Sequence, residues 1–539
     1  MKIKKLIIKN YKIFKELTIE MNNEMNIFIG ENNTGKTTLL DAIQLVMTQK
    51  LNGVPIMQQL TCDWFNKEIR DEYVHQIGNH QDAPLPVILI EAYFLDEKDN
   101  VQLNKFRGTN NSSKSDEIGI QLKIEFDQET YSDNYEEMLK QNQITDIPID
   151  FYKVEFVNFA GSKFSPLFMS EKTGIINTTK KDYYFTSNKL ITENSSNLLN
   201  NNKNHNIATQ YKNVRRQFNE KYPNIVTSGN FKDLDFLKNK EIRLNLKEEN
   251  IDEWKNEFEL MIDGIPYRYN GTGTQNMIKS ELFVNNNKDI DILLVEEPEN
   301  NLTYTNMCIL VNRLFSNNPK QIFISTHSSY IANKLGLRNL LLLNHNEIKK
   351  FSQLDEKVNK FFMKLPNNNV LRIILSNHII LVEGPSDELI IQKAYHDIYG
   401  RFPIDDGIDI MCVNGIAFEN YCWLAQLIHK KIIVITDNDG KLTIKQNKFD
   451  KFDCVTLCIE NNNNLKTLEP SIYEANKNTL DEFKLIIKCG NKYETQEEII
   501  KYMSDNKAEW SLNVYLSDKK ISYPKYILDA IDNVRNEIQ

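Results

Sequence analysis

Residues 25–38 read Met25-Asn26-Ile27-Phe28-Ile29-Gly30-Glu31-Asn32-Asn33-Thr34-Gly35-Lys36-Thr37-Thr38, an apolar run closed by the pattern G-x-x-x-x-G-K-[ST]. That pattern requires a strand before it and a helix after it. Both are predicted: Met25 to Ile29 is apolar, and Thr37 to Met47 carries apolar residues at helical spacing. Glycines let the backbone curl so that successive N–H groups face phosphate oxygens, and the helix amino terminus adds about half a positive charge. Gly30, Asn33, Gly35, Lys36, Thr37 and Thr38 are therefore candidate contacts to ATP, with Lys36 reaching the β and γ phosphates and Thr37 ligating Mg²⁺.

Far downstream, the apolar strand Ile292-Leu293-Leu294-Val295 ends in Glu296-Glu297-Pro298-Glu299. Carboxylates at the carboxyl end of a buried strand stand where the phosphate loop also opens, a Walker B arrangement. Glu296 is expected in the Mg²⁺ shell, and Glu297 is expected to orient or deprotonate the attacking water. After a further helix, Gln321 to Ser325 reads as a strand closing with Thr326-His327-Ser328, which makes His327 a candidate sensor of the γ phosphate.

The second half repeats the theme with different chemistry. Ile379 to Val382 runs into Glu383-Gly384-Pro385-Ser386-Asp387-Glu388, ahead of a helix from Leu389 to Tyr399. Asp409 to Val413 ends at Asn414-Gly415, and Lys431 to Thr436 ends in Asp437-Asn438-Asp439-Gly440. Strands alternating with helices imply an α/β fold with a parallel sheet flanked by helices, so Glu383, Asp437 and Asp439 should meet at one rim. Oxygen donors without His or Cys select Mg²⁺ or Mn²⁺. In a continued strand the two Asp side chains of D-x-D would diverge, so the turn at Gly440 has to splay the backbone. Glu388, one helical turn on, is a candidate carboxylate for a second metal; the alternative is an ordinary helix charge.

At 539 residues the chain is long enough for about three to four domain-sized units. With 41% hydrophobic and 26% charged residues it is globular in composition, and a net charge of −9 argues against a protein that coats nucleic acid over its whole surface. It leaves room for a local groove of Lys and Arg. No apolar run reaches the length of a membrane span and the basic start, Met1 to Asn10, has no signal-peptide core, so no membrane contact and a cytoplasmic location are expected. The seven cysteines form no CxxC, which disfavours structural zinc. Asn-, Ser- and Lys-rich stretches at Asn100–Asp116 and Asn194–His205 read as loops around an insertion. Tyr211 to Tyr222, with Lys212, Arg215 and Arg216, and Ile251 to Ile262 read as amphipathic helix; an arm or dimerisation element and a solvated helix are both open.

The phosphate loop, the remote Walker B strand and the insertion between them resemble the split head of the ABC ATPase superfamily. That resemblance places Gly271-Thr272-Gly273-Thr274-Gln275 at the signature loop, with Gly271, Gly273 and Gln275 as nucleotide contacts, although the sequence departs from LSGGQ. Since such heads bind nucleotide between two copies, a homodimer or higher homo-oligomer is implied. Glu383 with Asp437 and Asp439 resembles the Toprim constellation, and an ABC head followed by Toprim is the layout of the overcoming-lysogenization-defect (OLD) nucleases. Thr467-Leu468-Glu469-Pro470 resembles that family's later acidic motif, making Glu469 a second-metal ligand. Tyr523-Pro524-Lys525-Tyr526 resembles the position of its lysine, making Lys525 a stabiliser of phosphorane charge. Val413-Asn414-Gly415, Phe418-Glu419-Asn420-Tyr421 and an end read as helix-poor, with Val514-Tyr515-Leu516-Ser517, are most like the nucleases of Gabija anti-phage systems.

The expected layout is an ATPase domain over 1–345 with about 150–260 as insertion, a linker over 346–375, and a Toprim domain with its extension over 376–539. The resemblance implies a metal-dependent endonuclease acting on double-stranded DNA, with two ions roughly 3.5–4 Å apart, gated by nucleotide and accompanied by a UvrD-like helicase. A RecF-like clamp or repair protein without nuclease activity is the alternative. A topoisomerase would need an organised nucleophilic Tyr, and a primase would need a zinc module; neither is visible.

Overall fold

The computed structural model describes residues 1–538 apart from 80–82, 97–99, 142–143, 178–200, 223–245, 247–259, 287–289, 317–319, 345–346, 366–368 and 414–417. Its contacts divide into two compact units, Met1–Met25 with Thr37–Ser325, and Asn26–Lys36 with Thr326–Gln539.

In the first unit, β1 (Ile3–Tyr11) and β2 (Phe14–Glu20) form a hairpin. The phosphate-loop strand β3 (Met25–Ile29) lies almost wholly in the other unit. β4 (Ile88–Phe94), β5 (Glu117–Phe126) and β6 (Tyr152–Asn158) extend the antiparallel sheet in the order β2-β1-β4-β5-β6. Beside it β7 (Thr173–Asn177), β8 (Ile292–Glu296) and β9 (Gln321–Ser325) run parallel, with Thr173 opposite Ile292 and Ile292 opposite Gln321. The fully buried Gln321 joins the two sheets: its amide oxygen accepts from Ile3 N at 2.7 Å and its amide nitrogen donates to Ile3 O at 2.8 Å. A buried amide satisfied on both sides fixes register as well as stability. Helices α1 (Lys36–Thr48) and α2 (Thr272–Asn286) follow the phosphate loop and the signature-like loop.

In the second unit β3 pairs in parallel with β10 (Leu340–Asn344), and Glu347–Lys350 returns antiparallel on the far side of β10. The carboxyl-terminal sheet is wholly parallel, in the order β12-β11-β13-β14, from β11 (His378–Val382), β12 (Ile408–Cys412), β13 (Ile432–Ile435) and β14 (Val455–Cys458). Helices α3 (Pro385–Tyr399), α4 (Leu442–Phe449), α5 (Leu468–Asn476), α6 (Lys507–Leu516) and α7 (Lys525–Ile538) accompany it. Ile380, Val382, Ile433 and Ile435 of the strands pack with Ile390, Ala394, Trp510, Ile527 and Ile531 of the helices in one core. Apolar strands continuous along their length are what burial on both faces demands.

Several expectations change. Segment 346–375 carries a strand and two helices, Glu356–Lys364 and Val370–Leu375, because Val358, Phe362, Val370, Leu371, Ile373 and Ile374 are all buried; it is not a bare linker. The carboxyl-terminal end is rich in helix, and Val514, Tyr515 and Leu516 lie inside α6. Within Asn100–Asp116 a short helix, Val101–Asn104, and a short strand, Arg107–Gly108, interrupt the loop, and the buried Asn111 donates to Gly108 O and Ser115 O. The expected helix at Tyr211 extends from Asn201 to Lys221, so 201–205 is helix rather than loop, while 194–200 lies outside the described residues. Of the span Ile251–Ile262, residues 251–259 also lie outside them, and Met261–Ile262 is a strand paired with Ile265–Pro266.

Candidate functional site

The phosphate loop curls as its glycines require. Gly35 has φ +97° and Asn33 φ +64°, and a Cβ on Gly30 would stand 2.6 Å from Leu343 O, so only glycine fits between β3 and β10. Thr34 Oγ1 donates to Glu31 O at 2.9 Å, and the buried Lys36 turns its ammonium onto the loop's own carbonyls, Gly30 O at 3.0 Å and Glu31 O at 2.7 Å. Gly30 to Lys36 and the exposed His327 belong to the second unit.

Thr37, Thr38 and the Walker B carboxylates belong to the first. Glu296, buried at the end of β8, accepts from the amide of Asn177 at the end of β7. Glu297 takes φ +43°, and Asn300 Nδ2 donates to its Oε2 at 2.6 Å. Gly273 lies in the first turn of α2, where a Cβ would come within 2.3 Å of Asn301 O, so the signature-like loop packs directly on the segment after Walker B. Gln275 is committed locally: its amide donates to Asn270 O at 2.7 Å, while Gly271 has open space around it.

The carboxylate site lies within the second unit, and β11 and β13 build it as neighbours. Glu383 follows β11, and its Oε1 accepts from Thr436 Oγ1 and from Asp437 N, the latter at 3.2 Å. The D-x-D splay is carried mostly by the middle residue. Asn438 is fully buried; its amide donates to Glu460 O, Asn462 O and Leu465 O, and its oxygen accepts from Gly440 N at 2.8 Å. With Asn438 pinned, Asp439 adopts φ +50° and Gly440 φ +71°, and Asp439 leaves the strand direction. Lys445 of α4 then reaches Asp439 Oδ2 at 2.9 Å and Glu383 Oε1 at 3.8 Å.

Glu469, in the first turn of α5, is buried at 1% exposure. Thr467 Oγ1 donates to one of its oxygens at 2.7 Å, and Lys507 Nζ at the start of α6 lies 2.9 Å from the other. Burial, then the charges of Glu383, Asp387 and Glu469, push the Asp437 carboxyl up to about 8 against the pull of Lys507. Burial raises Asp387 to about 6, and Glu383 and Glu469 add to it. Burial works against the charge of Lys507, but Glu469, then Asp437 and Asp387, raise its affinity for the proton above the ordinary value. Five groups, Glu383, Asp387, Asp437, Glu469 and Lys507, thus share one electrostatic neighbourhood.

Two assignments move. Asp387, not Glu388, faces the cluster: its Oδ2 accepts from Gly384 N at 3.0 Å, whereas Glu388 accepts from Gln392 and feels burial, Arg372 and Asp409. The helix begins at Pro385, so Asp387 lies in its first turn on the side of Glu383. Lys507, not Lys525, is the lysine among the carboxylates; Lys525 is exposed at the start of α7. Nothing in the residues around Lys507 marks it out.

The donor set fits a hard divalent ion. Every candidate ligand is a carboxylate, and burial first and the neighbouring anions second raise the proton affinities of Asp437 and Asp387, both of which a bound cation would offset. Among the described residues no group of three or more His, Cys, Asp or Glu converges closely enough to grip an ion as the side chains stand, and Lys445 and Lys507 supply the local positive charge.

The AAA ATPase domain family matches residues 1–332, more than half of the sequence and inclusive of the phosphate loop, Walker B and His327. The chain belongs to this AAA ATPase domain family. Residues 374–439 match the overcoming lysogenization defect protein-like TOPRIM domain, which spans Glu383, Asp387 and D-x-D and stops short of Glu469 and Lys507. Over most of its length the chain is similar to endonuclease GajA of Bacillus cereus (strain VD045), 24% identical over 464 residues, 82% of this chain and 75% of that protein. DNA replication and repair protein RecF of Staphylococcus haemolyticus (strain JCSC1435) is 44% identical over 89 residues, 16% of this chain and 23% of that protein. The solved C-terminal region of the Burkholderia pseudomallei OLD protein covers 31% of this chain and 100% of its own length at 15% identity, with TM-score 0.25.

Proposed function

We propose that the chain is a metal-dependent DNA endonuclease with Glu383, Asp387, Asp437, Asp439 and Glu469 as the ligands of Mg²⁺ or Mn²⁺. What supports this reading is that acids from β11, α3, β13 and α5 and one lysine from α6 lie near enough to shift one another's proton affinity, with Lys507 Nζ 2.9 Å from Glu469. Ions held there supply Lewis-acid polarisation of phosphodiester oxygens. The chain's own groups do the rest. Asn438 locks the D-x-D turn, Thr436 and the Asp437 amide aim Glu383, and Thr467 aims Glu469. Lys507, held protonated by Glu469, is placed to offset charge that develops on the phosphate, the role expected of Lys525.

The ATPase family membership and the intact phosphate loop support a nucleotide gate over this cleavage, with Glu296 and Thr37 as Mg²⁺ ligands, Glu297 as the water-orienting carboxylate and His327 as sensor. The similarity to endonuclease GajA supports nuclease activity, and the proposal adds double-stranded DNA as substrate and a role in anti-phage defence. A homodimer or larger assembly, a UvrD-like helicase partner, a cytoplasmic location and the division near residues 345 and 376 complete the proposal. No helix among the described residues is long and apolar enough to cross a membrane. Incubating the purified chain with supercoiled plasmid in Mg²⁺, Mn²⁺ or EDTA, with and without ATP, tests it: nicked or linear product in the divalent cations alone is expected. Intact plasmid under every condition, with nucleotide binding preserved, would instead leave the RecF-like reading.

A further inference from the structure

The parallel sheet of the second unit ends at β14, which has no strand on its outer side among the described residues. Ile432 N donates to Cys454 O at 2.9 Å, and Ile432 lies opposite Val455. Alternation along a parallel ladder therefore points the amides and carbonyls of Cys454, Thr456 and Cys458 to β13 and those of Val455 and Leu457 outward; Val455 N donates to Phe452 O at 3.2 Å, which leaves Val455 O and the amide and carbonyl of Leu457 for a further strand. That free edge is the floor of a groove of about 990 Å³, walled on one side by α4 and the turn after it and on the other by α7.

The walls are predominantly acidic. Asp450 and Asp453 stand on the first wall and Asp529 and Asp532 on the second, with Glu460 at the end and Lys525 as the one cation among the lining residues. All four aspartates are exposed, and none has an ion-pair partner among the described residues. Phe449 and Phe452 add apolar surface beneath them.

We infer that this groove is a docking site for an extended, basic segment of a partner protein, which adds a strand to β14. An open strand edge gives main-chain hydrogen bonds to any extended peptide, and the flanking side chains then choose among sequences. β14 has 4 residues, so the bound strand spans about 13 Å. Successive side chains of that segment point to opposite walls, so Lys or Arg at neighbouring positions face the aspartates of both. The same charges exclude nucleic acid, and they exclude pairing of β14 with the β14 of a second copy, which would bring acid against acid. Glu460 and Tyr526 border both the groove and the carboxylate site, so the segment docks beside it. The inference does not depend on the nuclease reading.

The test is fluorescence anisotropy on the full chain with three labelled peptides. One carries a run of lysines, one a run of glutamates, and one is the lysine peptide N-methylated at every amide of the run. Saturable binding of the first alone is expected, and D529K/D532K should weaken it by roughly tenfold or more. Should that variant misfold, D450K/D453K on the opposite wall gives the same reading. Equal binding of the N-methylated peptide would overturn the strand addition, and equal binding of the glutamate peptide would overturn the charge selection. Binding of none would mean that the aspartates only guard an exposed edge.

Discussion

Asp437 is held in a state that costs the metal-free protein stability, and Asp437→Asn should release it. Burial and the charges of Glu383, Asp387 and Glu469 move its carboxyl from the usual value near 4 up to about 8. The native state therefore keeps a proton between those limits that the unfolded chain gives up, and stability falls as pH rises through that window. At pH 7 the difference covers about three pH units, or roughly 4 kcal/mol at 1.36 kcal/mol each; relaxation around a partly exposed group reduces this to about 2 kcal/mol. For a unit of this size that is a rise in Tm of about 4–8 °C in Asp437→Asn, and the gap roughly doubles from pH 6 to pH 8. Calorimetric melts in EDTA read it directly. With Mn²⁺ at about 100 times its Kd the order should invert, because the wild type alone gains roughly 2.7 kcal/mol. An Asp437→Asn protein that melts below the wild type in EDTA at pH 8, or a gap that shrinks with pH, would refute the crowded-carboxylate account.

Lys507→Met should lower plasmid cleavage by at least about 100-fold, whereas Lys525→Met should cleave like the wild type; the reverse order would restore the lysine expected from sequence. Asn438→Ala removes the hydrogen bonds that lock D-x-D and leaves buried carbonyls unsatisfied at about 1–3 kcal/mol each, so both Tm and Mn²⁺ affinity should fall, and unchanged Mn²⁺ affinity would contradict its positioning role. Lys36→Ala should abolish retention of a fluorescent ATP analogue while leaving Mn²⁺ binding at the second site intact; loss of both would deny that the two sites are separate.

The features legible in the sequence are those whose parts are contiguous or sit at the end of an apolar run. The phosphate loop carries strand, glycines and lysine in one stretch, and Glu383 and D-x-D each close a buried strand, so strand polarity alone sends them to one rim. Phase was the weaker signal. Asp387 and Glu388 are adjacent acids, and starting the helix at Leu389 rather than Pro385 hid which of them faces Glu383, although a proline after Gly384 marks a first helical position. Lys507 was not legible at all, because it is one of 65 basic residues and its partner Glu469 lies on a different helix. The role of Asn438 was likewise hidden between two more conspicuous aspartates; only its burial and the loop carbonyls around it show that it sets their directions.

The most direct test is cleavage of supercoiled plasmid in Mn²⁺ by the wild type beside Glu383→Ala and Asp437→Ala, each shown by circular dichroism to be folded. Rapid conversion by the wild type and intact plasmid with both variants is the predicted result. Undiminished Mn²⁺-dependent cleavage by either folded variant would contradict the placement of the reaction at this rim.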